Sequence, residues 1–168
     1  MTDSTWWQLL LALGYGVLGS VIPIVNAEAF IVASVATEMI DPVVVGALLG
    51  LGQGIGKVVL FQTVRQGRRR LFRKRPLKQP ASARPGSWRA RWDRLVVMGV
   101  KLVEHPRWGP VGFFLSGSIS LPPNYLTTVI AATTKINFVL FAIFLTAGFM
   151  SRYVVIALAA AGVVDRIL

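Results

Sequence analysis

Cysteine is absent from this 168-residue chain, histidine occurs once, and seven acids stand against eighteen Lys and Arg. Without cysteine there is no disulfide, no thiol nucleophile and no thiolate metal site, and the redox compartment leaves no mark. His105, just before Pro106, has neither metal-ligand company nor a nucleophile partner, so it is expected at an interface rather than in a catalytic centre. Ser116, Ser118 and Ser120 lack a plausible base. The chain is expected to be no enzyme and to need no cofactor or metal.

Charge is also scarce. Only 15% of residues are charged and 54% are apolar, where a soluble domain carries about 25% charged residues. Apolar runs at 6–25, 42–61 and 136–164 each approach or exceed the about 20 residues that a membrane-spanning helix needs. The sequence therefore predicts an all-α integral membrane protein. Met1–Thr5 carries Asp3 and no Lys or Arg, which argues against a secretory signal.

What charge there is collects in one block. Arg65–Arg94 holds twelve Lys or Arg and one acid, Asp93, with Pro76, Pro80 and Pro85. Such a block fits a solvated linker, and between apolar spans it marks a cytoplasmic loop in preference to a nucleic-acid site. Arg68, Arg69, Arg70, Arg73, Lys74 and Arg75 would face anionic lipid there. Next comes "SWRARWDRLVVMGVKLVEH", with Ser87 as N-cap and its tryptophans and aliphatics at helical spacing. It is a basic amphipathic helix suited to the interface or to packing on the protein itself. Three regions follow: a first membrane half at 1–64, a basic linker with amphipathic helix at 65–107, and a second membrane half at 108–168.

Two segments interrupt the apolar pattern. Residues 21–40 contain Pro23, Asn26, Glu28 and Glu38, and residues 108–135 contain Pro110, Pro122, Pro123, Asn124 and Lys135. Proline removes a backbone donor and breaks helices, and freed backbone groups at membrane depth survive only inside protein or beside water. Both segments are expected to be re-entrant. They also resemble each other: "GSVIPIVNAEAFIVASVAT" and "GSISLPPNYLTTVIAATT" match Gly19-Ser20 with Gly117-Ser118, Pro23 with Pro122 and Asn26 with Asn124. Lys57 and Gly67 fall 95 positions before Arg152 and Gly162. With 65–94 cytoplasmic, the spans 42–64 and 136–164 run in opposite directions, which predicts an inverted repeat of re-entrant helix plus span.

The order of a Pro-x-x-x-x-Glu segment, "GALLGLGQGIGKVVLFQTVRQGRR", a basic loop, a second proline segment and "GFMSRYVVIALAAAG" resembles the DedA superfamily, also called the VTT or SNARE-associated Golgi protein family. The resemblance covers roughly 14–164 and is nearest to a small, divergent bacterial branch. It implies two facing re-entrant loops, residence in a bacterial inner membrane and movement of phospholipid or polyprenyl-phosphate lipid, in some members proton-linked. It places Glu28 at the family's first-loop acid and Gln53 near an Asp or Asn of its Gly-rich motif. Many members follow the second-loop proline with an arginine. Here Asn124 and Tyr125 follow Pro122-Pro123, a departure that weakens phosphate binding by that loop.

From the residues themselves, Glu28 in an apolar run needs a partner, a proton or water, because a charge at the bilayer centre costs about 2.5–3.5 kcal/mol or more. Lys57 and Arg152 are the available cations; each would serve Glu28, hold a lipid phosphate or anchor a helix by snorkelling. Asn26 and Asn124 are candidate caps of broken helices. "GLGQGIGKV" is no phosphate loop, since Leu51 and Val58 stand where Gly and Ser or Thr are required. The expected function is lipid translocation, with membrane lipids and a second copy of the chain as partners and no nucleic acid. An ion or small-solute transporter and a non-transporting interaction protein remain as alternatives.

Overall fold

A computed structural model describes residues 3–22, 26–37, 41–71, 107–120, 123–134 and 136–167, with Val97, Lys101, Leu102 and His105. Six helices account for most of them: α1 (Asp3–Val21), α2 (Ala27–Ala36), α3 (Pro42–Leu71), α4 (Gly109–Ile119), α5 (Asn124–Thr133) and α6 (Phe138–Ile167). There is no strand among the described residues. Pro23, Glu38, Pro122, Lys135 and most of the basic linker and amphipathic helix lie outside them, Arg73, Lys74 and Arg75 included. Arg68, Arg69 and Arg70 belong to the last turns of α3, with side chains outside the described set.

Two helices are long and apolar enough to cross a membrane: Pro42–Gly67, with mean hydropathy 1.8, and Phe138–Val164, with 2.0. The N-terminal run behaves differently from its length. Its apolar helical stretch is Trp6–Val21, short of the about 20 residues a span needs. It stops two residues before Pro23, because the residue preceding a proline is pushed out of the helical region. Two further expectations shift. Residues 65–71 continue α3 instead of opening a linker, consistent with the good helix propensity of Arg and Gln. Pro110 starts α4 rather than breaking it; in the first turn its missing N–H has no helical partner to lose.

Glycines set how the helices run. On α3, a Cβ built at Gly46, Gly50 or Gly54 would strike α6 at Tyr153 and Val154, at Phe149 and Met150, and at Thr146, in that order. Ascending positions on one helix meet descending positions on the other, so α3 and α6 are antiparallel. On the neighbouring face of α3, Gly52 meets Leu13 and Gly16, and Gly56 meets Val17 and Ser20, so α1 runs parallel to α3. Gly117 of α4 meets Leu145 and Gly148 of α6 in the same manner as Gly16 meets Leu49 and Gly52. Small residues let backbones approach this closely, and side-chain packing then does the work of association.

The short helices pair crosswise. The α2 helix lies mainly on α6, and α5 lies on α3. Stacked Tyr15 and Phe30, with centroids 4.5 Å apart, join α1 to α2. Phe61 stacks on Phe141 at 4.8 Å, and Phe113 meets Phe141 edge-on at 5.3 Å, so one aromatic cluster ties α3, α4 and α6 together. Large apolar side chains also cover much of the outside. Trp6, Trp7, Leu10, Leu11, Val59, Val139, Ile143 and Val155 are all more than half exposed.

The buried positions of the two long helices keep a common register. Val45, Leu49, Gly52, Gln53, Lys57 and Phe61 have buried counterparts 96 positions later in Phe141, Leu145, Gly148, Phe149, Tyr153 and Ala157. At that spacing Lys57 corresponds to Tyr153 and not to Arg152, one residue away from the match based on the paired cations. Helices α2 and α5, ten residues each, correspond 97 positions apart, with caps Asn26 and Pro123 in the same place. Glu28 thereby matches Tyr125.

Candidate functional site

The ends of the short helices surround a half-open cavity of about 670 Å³. Its walls come from Gly19, Ser20 and Val21 of α1, Asn26, Ala27 and Glu28 at the start of α2, Gln53 and Lys57 of α3, Asn124 and Tyr125 of α5, and Tyr153 of α6. Five residues singled out in the sequence, Glu28, Lys57, Asn26, Asn124 and Gln53, thus share one cavity. Arg152 stands beside it, bonded to its wall.

Among the described residues Glu28 has one cationic partner. Arg152 Nη2 donates to Glu28 Oε1 at 2.6 Å, and this is an ion pair between α6 and the first turn of α2. The carboxylate side chain is 51% exposed and the guanidinium side chain 26%, so the pair sits at the cavity mouth. Arg152 Nη1 also donates to Ser120 Oγ at 2.5 Å. Ser120 caps α4 with φ 59°, a left-handed conformation unusual outside glycine. Arg152 therefore holds the end of α4 from its own half and the start of α2 from the other. These two bonds use two of the five N–H donors of its guanidinium.

Lys57 makes the reciprocal connection with different chemistry. Its Nζ donates to the Ser20 carbonyl at 3.1 Å, in the last turn of α1, where helix carbonyls lack partners and carry negative partial charge. The same ammonium lies 5.8 Å from the centroid of the Tyr125 ring on α5, within range of a cation–π attraction. Each long helix thus uses one cation to bridge an α-helix C-terminus of its own half and an N-terminal turn of the other half. The bridge through Arg152 is ionic, and that through Lys57 is not. Lys57 is 93% buried by its 7% exposure, and no carboxylate pairs with it among the described residues.

The two asparagines part company. Asn26 is a true N-cap: its Oδ1 accepts from the backbone N–H of Glu28 at 3.0 Å and of Ala29 at 3.3 Å. Asn124 is the first residue inside α5, whose cap is Pro123, and it makes no capping bond. Pro123 occupies the cap position, which moves Asn124 one place into the helix.

Gln53 is buried, 6% exposed, and lines the cavity. Ser20 Oγ is buried with no hydrogen-bond partner among the described residues. Tyr125, Tyr153, Ser20 and Ser120 were not anticipated as site residues. A signal existed for Tyr153, which falls on the Leu145, Phe149 face of α6 at helical spacing. None existed for Ser120, whose role depends on a left-handed cap. The chain matches no family model, no curated protein and no solved structure.

Proposed function

We propose that this chain is a membrane protein that moves lipid between leaflets, with a headgroup carried in the cavity and the acyl chains left in the bilayer. One observation carries the reading: a polar cavity built jointly by both halves opens in a bundle whose outer surface is apolar. An apolar exterior of this extent is what contact with hydrocarbon would require, and it supports a place in the membrane. A cavity of about 670 Å³ falls within the about 300–1,000 Å³ typical of small-molecule sites, room for a headgroup.

Helix direction supports a topology for this reading. Since α1 runs parallel to α3, α2 returns toward the face from which α1 entered, and α1–α2 forms a re-entrant hairpin ahead of the spanning α3. The pair α4–α5 does the same ahead of α6, from the opposite face because α3 and α6 are antiparallel. These directions support an inverted repeat, an arrangement in which a site lies near the midplane between broken helices. The resemblance to the DedA superfamily supports the same arrangement. The basic segment after α3 then lies in the cytoplasm of a bacterial cell, its arginines against anionic lipid.

Glu28 and Arg152 form the latch. Loss of the Glu28 charge would remove the ion pair that joins the start of α2 to α6. The test is lipid movement in liposomes holding the purified protein, read by quenching of a fluorescent lipid from outside. Wild-type movement with loss in Glu28→Gln supports the reading. Folded protein that moves no lipid with any headgroup, yet passes ions or small solutes, replaces it with the small-solute transporter.

A further inference from the structure

We infer that the cavity holds a site for one singly charged oxyanion, seated on the Lys57 ammonium and the Gln53 amide. The inference rests on the lipid-transport reading only for the source of the ligand; the site itself is argued from the cavity walls.

A buried ammonium demands compensation, because an uncompensated charge removed from water is costly. Lys57 finds only part of it: a backbone carbonyl at 3.1 Å and an aromatic face at 5.8 Å. Glu28 also lines the cavity, but its charge is matched by Arg152 at 2.6 Å. The described walls therefore carry one unbalanced positive charge, at Lys57.

Donors are left over as well. An ammonium has three N–H groups, and one of those of Lys57 is spent on Ser20. Gln53 lies one helical turn before Lys57 on the same face of α3, buried, lining the cavity and without a hydrogen bond among the described residues. Beside them Ser20 Oγ is buried and unpartnered, and buried polar groups are rarely left so. An oxyanion entering here would accept from Nζ and from the Gln53 amide. A second negative charge would lie unbalanced on the same cavity wall as the Glu28 carboxylate. The site thus fits a phosphodiester or other singly charged oxyanion, in preference to a doubly charged phosphomonoester.

The decisive variant is Gln53→Glu. It puts a carboxylate four residues before Lys57, the orientation in which such a helical pair attracts best, so Lys57 gains an internal counter-ion in the place of the ligand. The experiment is calorimetric titration of the full chain in a neutral detergent with dimethyl phosphate, short-chain phosphatidylglycerol and short-chain phosphatidylcholine, for wild type, Gln53→Glu and Lys57→Met. The basic segment after α3 is intact in all three, so differences between them report the cavity. Wild type should bind the singly charged probes, and both variants should weaken that binding by about tenfold or more, while Gln53→Glu unfolds at the wild-type temperature or above. Binding of dimethyl phosphate comparable to that of the lipid assigns the site to soluble anions; binding of the lipid alone assigns it to a headgroup. Equal binding by wild type and folded Gln53→Glu overturns the site, whatever Lys57→Met does. Binding that follows these variants in a protein that moves no lipid keeps the site and removes the transport reading; lipid movement with variant-independent binding does the reverse.

Discussion

Arg152 Nη2 lies 2.6 Å from Glu28 Oε1 across 124 positions of sequence, and the same guanidinium holds Ser120 at the end of α4. One side chain thereby ties the end of α4 and the start of α2 to α6. Removing Arg152 leaves Glu28 on the cavity wall without this partner, and removing Glu28 leaves Arg152 beside the cavity without its counter-ion. Glu28→Gln is expected to abolish lipid movement and to leave helical content unchanged. For a pair this exposed, the coupling energy between Glu28→Gln and Arg152→Gln in a double-mutant cycle should be about 1 kcal/mol or less. Thermal unfolding of the two single variants and the double variant measures it. A coupling of zero, with movement intact, would dismiss the latch.

Close packing through glycine makes a sharper prediction for stability. A Cβ at Gly52 would run into the Leu13 carbonyl and the Gly16 backbone, neither of which can give way without moving α1. Gly52→Ala should cost about 1–3 kcal/mol, the usual range for overpacking. Gly67, on the same helix, has nothing within 4 Å of the place a Cβ would take. Gly67→Ala should stabilise by up to about 1 kcal/mol, since glycine inside a helix costs backbone entropy. Unfolding of both variants in one detergent tests the pair together, and similar effects of the two would contradict the α1–α3 contact.

Much of this arrangement could be read from residue types. An acid in an apolar run needs a partner, a proton or water, and Lys57 and Arg152 were the available cations; the ion pair is with Arg152. Gln53, Asn26 and Asn124 are polar where their neighbours are not, and they line the same cavity as Glu28. What stayed hidden was register. The like-charged pair Lys57 and Arg152 looks equivalent at a spacing of 95, but burial aligns the helices at 96, because packing follows the apolar face and not the charge. Pairing Asn26 with Asn124 fails by one residue for a related reason: Pro123 takes the cap. Prolines mark where helices end and begin, but the letter alone does not say which, as Pro110 shows at the start of α4.

The unequal asparagines give a third test. Asn26 satisfies two backbone donors of α2, so Asn26→Ala should cost about 1 kcal/mol and speed hydrogen exchange at residues 28 and 29. Asn124→Ala removes no cap and should stay within about 0.5 kcal/mol of wild type. Equal losses from both would mean that α5 is capped as α2 is.

Absence of cysteine turns into an experimental advantage for topology. A single introduced thiol is the only one in the chain, so labelling by a membrane-impermeant maleimide reports one position without background. Ala81→Cys lies in the basic segment, and Thr2→Cys precedes α1. If α1 and α2 form a hairpin that enters and leaves by one face, position 2 lies on the face where α3 starts, and position 81 lies on the opposite face, where α3 ends. Intact cells should label Thr2→Cys at once and Ala81→Cys only after permeabilisation, since Lys- and Arg-rich loops stay in the cytoplasm. Were α1 instead a full crossing, with α2 outside the membrane, both thiols would share one face and label together. The re-entrant arrangement, and with it a cavity at mid-depth between the two halves, stands only on the first result.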